Sequence, residues 1–157
     1  MSAASPSEHA IAATWPRRWQ HARVIARLAM LYATFGVLKH VVPLPALARW
    51  AWLRPAGPRD RTAEDRVLRC MVRLRRWLPA DRGDCLHGSL TLYRALSATG
   101  SSPRLVAGFR KDAPAIAGHA WVEVDGVAQL EVPPETTGFV AAFEFGDEGV
   151  RRDRAAR

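Results

Sequence analysis

Asp84-Cys-Leu-His-Gly-Ser-Leu-Thr-Leu-Tyr-Arg-Ala-Leu-Ser-Ala-Thr-Gly100 is the stretch that decides the fold. Leu86, Leu90, Tyr93 and Leu96 recur at helical spacing, and Thr99-Gly100 is a common way to end a helix. A helix is therefore predicted over 85–98, with a cysteine as its first residue. Helical patterns lie upstream of it and alternating ones downstream. That order predicts an α+β domain rather than a parallel, doubly wound sheet.

Upstream, Val24, Leu28, Leu31, Phe35 and Leu38 predict a helix over 17–41 that stops before Pro43 and Pro45. A short helix is expected over 46–53, and Pro55-Ala-Gly-Pro58 breaks the chain. Thr62 can cap a third helix, with Glu64 and Asp65 suited to its positive end. That helix places Val67, Leu68, Met71, Val72 and Leu74 on its buried side and runs to about Leu78, before Pro79. The expected organisation is an N-terminal helical segment over 1–60, packing on or docking for a catalytic core over 61–146, and a frayed polar tail over 147–157.

Downstream, 104–110 alternates like a strand, 113–117 reads as a loop, and 119–125 alternates again. Asp125-Gly126 signals a turn, with 127–132 as the partner strand and Pro133-Pro134 closing the hairpin. Two registers are open. A two-residue loop at Asp125-Gly126 pairs Val124 with Val127 and puts Glu131 opposite Ala120, on the face away from His119. A three-residue loop with Gly126 left-handed pairs Glu123 with Val127 and puts Glu131 opposite His119, with Cβ atoms about 5 Å apart. The three-residue loop is the expectation taken forward.

A thiol enzyme needs a stabilised thiolate, a base within reach and a group that holds the base. A cysteine in the first turn of a helix meets the first need, because unpaired backbone N–H groups and the helix dipole favour the thiolate. Cys85 has that position, and its own N–H would point toward a developing oxyanion. Asp84 beside it would oppose thiolate formation unless turned away. His119 opens a strand and is the candidate base. His87 lies roughly 200° around the helix from Cys85, so it faces elsewhere. Glu131 would orient the imidazole. Trp121 alternates with His119 on one face and either shields the site or fills the core. Trp121 and Arg110 are the candidate substrate-contacting residues, Asp125 reads as a turn residue, and Cys70 reads as packing.

Composition sets the limits. The 157 residues suit one domain, and 48% apolar with 24% charged is ordinary globular composition. Two cysteines are too few for a disulfide framework, so free thiols in a reducing cytoplasm are expected. The first ten residues carry no signal-peptide pattern. Twenty-three basic against fifteen acidic residues give a net charge of +8. Basic residues interleaved with aromatics on one element are missing, which argues against nucleic acid and leaves contact with an anionic membrane surface open. The uncharged run 28–38 is shorter than the roughly 20 residues of a spanning helix, so no transmembrane span is expected. The histidines lack companions at ligand spacing, so neither a metal nor another cofactor is expected.

Cys85-Leu-His-Gly-Ser89, Leu92-Tyr-Arg-Ala-Leu96, Arg104-Leu-Val-Ala-Gly108 and Gly118-His-Ala-Trp-Val-Glu-Val-Asp-Gly126 together resemble the transglutaminase-like leader peptidases of lasso-peptide biosynthesis. The resemblance, over about 62–145, extends to the C-terminal domain of the microcin-processing B protein. It implies a papain-like core with a Cys/His/Asp triad that removes the leader from a ribosomally made precursor. It also implies two partners besides the precursor leader peptide: a small leader-recognition protein and an ATP-dependent lasso cyclase. Carried onto this chain, Cys85 is the nucleophile, His119 the base, and Glu131 stands where the family has Asp. Acyl transfer to an amine, and peptide binding without catalysis, are the alternatives.

Overall fold

The computed structural model describes residues 17–78, 85–112, 115–130 and 137–154. Helices α1 (Arg17–Leu38), α2 (Leu44–Ala51), α3 (Arg61–Arg75) and α4 (Cys85–Ser97) come first. Strands β1 (Arg104–Asp112), β2 (Ala115–Val124), β3 (Val127–Ala128), β4 (Val140–Phe145) and β5 (Arg151–Asp153) follow. Paired neighbours are antiparallel in the order β3-β2-β1-β4-β5. The chain is α+β, as its sequence order implies.

Helix α1 buries Leu28 and Phe35, seven residues apart and therefore on one face. It ends at Leu38 rather than 41, because His40 and Val41 bond back three residues, to Val37 and Leu38, and tighten the turn before Pro43. Pro45 does not delay α2. It sits in the first turn, where a missing N–H breaks no helical bond. Helix α3 is capped by Asp60, whose Oδ1 accepts from Ala63 N at 3.0 Å, and not by Thr62. It buries Val67, Cys70, Met71 and Leu74, while Val72 is exposed.

Helix α4 is the hub. Leu90, Tyr93 and Leu96 sit in the same cluster as Leu28 and Phe35 of α1, Leu47 of α2 and Met71 of α3. The sheet completes it with Leu105, Val122, Val124 and Phe145. Fully burying a leucine-sized side chain contributes about 1.5–3 kcal/mol, so the shared cluster holds the helices on one face of the sheet.

The other face is closed differently. Val106 and Trp121 are buried there beside Glu123 and Glu144, which are 6% and 4% exposed. Buried carboxylates need cations, and Arg154 reaches Glu123 through Nη1 at 3.0 Å and Glu144 through Nε at 2.5 Å. Arg104 Nη1 holds the remaining Glu144 oxygen at 2.9 Å. The stretch read as a polar tail thus supplies a 3-10 turn (Asp147–Gly149), edge strand β5 and this clamp. Strand β5 is exposed at every residue, so it carries no apolar alternation to betray it.

The hairpin also departs from expectation. Asp125 (φ 53) and Gly126 (φ 78) are both left-handed, which is a two-residue type I′ turn. Val124 pairs with Val127 and Glu123 with Ala128, so the three-residue register does not form. The preceding strand starts at Ala115, inside the stretch read as a loop, and pairs back to Asp112.

Candidate active site

The short β3 makes the site. Backbone groups of alternate β2 residues point to the same edge. Val122 accepts from Gln129 N at 2.8 Å on the β3 edge, and Leu130, at φ 61, leaves strand geometry. Ala120 is the next residue whose backbone faces that edge, and α4 takes the place of a partner strand. Ser89 Oγ donates to Ala120 O at 2.8 Å, and the Ala120 N–H meets the Cys85 sulfur. Ser89 is four residues after Cys85, one helical turn along the same face. Two contacts one turn apart fix both the position and the rotation of α4 on the sheet.

This docking brings Cys85 to the residue before Ala120. His119 makes a side-chain hydrogen bond to the Cys85 sulfur, and both residues are half-buried. Burial pushes the Cys85 thiol up. The bond from His119, the Ala120 N–H, the imidazole charge and the Cys85 N–H outweigh it and hold the thiol below its ordinary value. Cys70 is the contrast: burial pushes its thiol up, and Arg73, Arg66 and Arg69 offset this only in part.

His119 is seated on an aromatic stack. Its ring lies 5.9 Å from that of Trp121 at an interplanar angle of 21°, and 5.0 Å from that of Phe139. The indole Nε1 donates to Glu123 Oε1 at 2.9 Å, so the Arg154 clamp reaches the imidazole through Trp121. Gly108 pairs with His119, and a Cβ there would lie 2.8 Å from Trp121 Cη2. Only glycine leaves room for the indole. Arg110 lies 4.6 Å over the Phe139 ring and donates to Thr137 O at 2.8 Å, fixing Phe139 beside His119.

Cys85 and His119 therefore meet. Trp121 is 1% exposed, so it packs beneath the histidine and has no face to offer a substrate. Arg110 is half-buried against its own chain. His87 is buried away from the sulfur, edge-on to Tyr32 at 4.1 Å and 3.3 Å from Lys39 Nζ. Asp125 forms the turn and pairs with Arg59 at 2.8 Å. Asp84 and Glu131 lie outside the described residues. The observed register withdraws the geometric argument for Glu131, since a continued ladder would set it opposite Ala120 and away from His119. Sequence reading passed over Ser89, which its spacing from Cys85 could have revealed, and Phe139, for which no local signal exists. Among the described residues no cluster of three or more His, Cys, Asp or Glu side chains is placed to hold a metal ion.

A helix-start cysteine bonded to a strand histidine, on an antiparallel sheet, can form and resolve acyl-thioesters. The model of the transglutaminase-like superfamily matches residues 24–144. The chain belongs to the transglutaminase-like superfamily. The match takes in most of α1 and all of α2, and so starts well before residue 62, where the resemblance begins. Curated proteins and solved structures gave no match. In this superfamily member the helix-borne sulfur and the strand imidazole sit where α4 docks on the β2 backbone at Ala120.

Proposed function

We propose that this chain is a cysteine peptidase that removes the leader from a ribosomally made lasso-peptide precursor. The observation that carries the reading is the hydrogen bond between Cys85 at the head of α4 and His119 on β2, with the thiol held below its ordinary value. His119 accepts the Cys85 proton, and the sulfur attacks the scissile carbonyl carbon. First-turn N–H groups of α4 have no carbonyl of a preceding turn to bond, and they face the developing oxyanion. The tetrahedral adduct collapses as His119 returns its proton to the departing amine, leaving a thioester on Cys85. Water, deprotonated by His119, then attacks the thioester, releasing the carboxylic acid and restoring the thiol.

The four motifs between Cys85 and Gly126 support the lasso-peptide assignment, and a small leader-recognition protein and a lasso cyclase are the proposed partners. Glu131 is kept as the third member on the resemblance alone. Two free thiols fit a reducing cytoplasm.

Mass spectrometry of a cognate precursor incubated with the wild type should show leader and core separated by hydrolysis. Cys85→Ala should abolish cleavage with an unchanged melting temperature, and retained cleavage defeats the proposal. Superfamily membership keeps acyl transfer to an amine as the second reading, because the route to the thioester is shared. A product carrying an added amine in place of water would establish it.

A further inference from the structure

We infer that the exposed face of α1 lies flat on an anionic membrane surface. The whole net charge sits in one segment. Residues 17–59 hold eight basic side chains and no acidic one, and the rest of the chain balances at fifteen of each. Arg59 is neutralised by Glu64 and Asp125, but Arg23, Arg27, Arg49 and Arg54 are exposed. Arg94, which donates to Trp50 O at 2.5 Å, has its guanidinium pushed below the ordinary value by burial and by the nearby Arg27. Basic groups are crowded here, and no carboxylate of the segment relieves them.

The same face is apolar. Trp19, Met30, Val37 and Val41 are 62%, 62%, 70% and 75% exposed. At 100° per residue, Trp19, Met30 and Val37 of α1 fall within about 20° of one another, with Arg23 about 40° from Trp19, and Val41 is exposed in the turn that follows the helix. Leu28 and Phe35 point the other way, into the core. Trp50 of α2 is exposed as well. An apolar stripe with tryptophan and flanking arginines is the pattern of a helix that lies in the headgroup plane. Positive charge without acids selects anionic lipid.

Trp19–Leu38 is, by length and composition, long and apolar enough to cross a membrane, longer than the uncharged run 28–38 alone. Crossing would pull Leu28 and Phe35 out of the core they share with α4, whereas lying flat uses only the side chains that the fold leaves outside. The active site would then sit close to the bilayer, since Tyr32 of α1 packs on His87 and Gly88 in the first turn of α4.

The test is flotation of the full-length protein with phosphatidylcholine vesicles, with and without phosphatidylglycerol, at low and high salt. Binding is expected only with phosphatidylglycerol, weakening with salt. The pair Val37→Asp and Val41→Asp, and separately Arg23→Gln with Arg27→Gln, should each lower partitioning roughly tenfold or more. These side chains are exposed, so the melting temperature should hold, and the arginine pair keeps the test valid if the aspartates perturb folding. No flotation with anionic vesicles, or equal binding to neutral ones, overturns the proposal. So does a dimer in solution that the aspartate pair dissolves without any lipid binding, which would make the face a contact between copies.

Discussion

Gly108→Ala is a one-methyl test of the stack under His119. The added carbon would sit 2.7 Å from Val140 O and 2.8 Å from Trp121 Cη2, where 3.4–4 Å is ordinary contact. Neither neighbour can give way easily. Val140 O is backbone of β4 next to a register shift, and Trp121 is 1% exposed and tied to Glu123. Overpacking of this kind costs about 1–3 kcal/mol. For a domain of this length, a cost of about 2 kcal/mol lowers the melting temperature by about 4–8 °C. Gly118→Ala is the control. Its methyl would meet Phe109 at 3.7 Å, ordinary contact, and should change stability by less than about 0.5 kcal/mol. Thermal unfolding followed by circular dichroism reads the stability, and the iodoacetamide alkylation rate of Cys85 reads the displaced imidazole. Both should fall for Gly108→Ala and stay put for Gly118→Ala. If the two variants melt together, or if Gly108→Ala alkylates like wild type, the stack does not seat His119.

Two further predictions concern the scaffold. Arg154→Met leaves the buried Glu123 carboxylate without its cation and should cost about 3 kcal/mol, the low end for a broken buried pair since Arg154 is partly exposed. Adding Glu123→Gln should restore part of the loss in urea unfolding, and no recovery would mean that the charge is not the cause. Tyr93 donates to Gly146 O, and burial pushes its hydroxyl well above the ordinary value. A raised folded-state value gives stability that is fully present below about pH 10 and lost as pH climbs beyond it. Tyr93→Phe should cost about 1 kcal/mol at neutral pH and flatten the alkaline loss in a pH series of melting temperatures. An unchanged alkaline slope contradicts this.

Much of this fold is legible in local pattern. The Leu90, Tyr93 and Leu96 spacing marks α4, and Cys85 starts it as read. Strand β1 and the 125–126 turn are equally plain, because apolar alternation and Asp-Gly act over a few residues. The expected three-residue hairpin register does not form. The left-handed pair Asp125 and Gly126 prefers the type I′ turn whose twist matches the strands. Strand β4, six residues with adjacent alanines, and the charged β5 have little alternation to read. Their places depend on distant partners, Arg154 with Glu123 and Glu144, which no local window contains. Cys85 and His119 were readable as residue types in suggestive positions. Their meeting was expected from those roles and the resemblance, but the docking that produces it was not, since it depends on Ser89 taking up the Ala120 carbonyl beyond the end of β3.

The pH dependence of iodoacetamide alkylation, read separately at Cys85 and Cys70 by peptide mass spectrometry, probes the sulfur–imidazole pairing itself. Cys85 should titrate below an ordinary thiol, His119→Ala should move its midpoint upward, and Cys70 should stay slow in both proteins. A Cys85 midpoint at the ordinary value, or one indifferent to His119→Ala, contradicts the account.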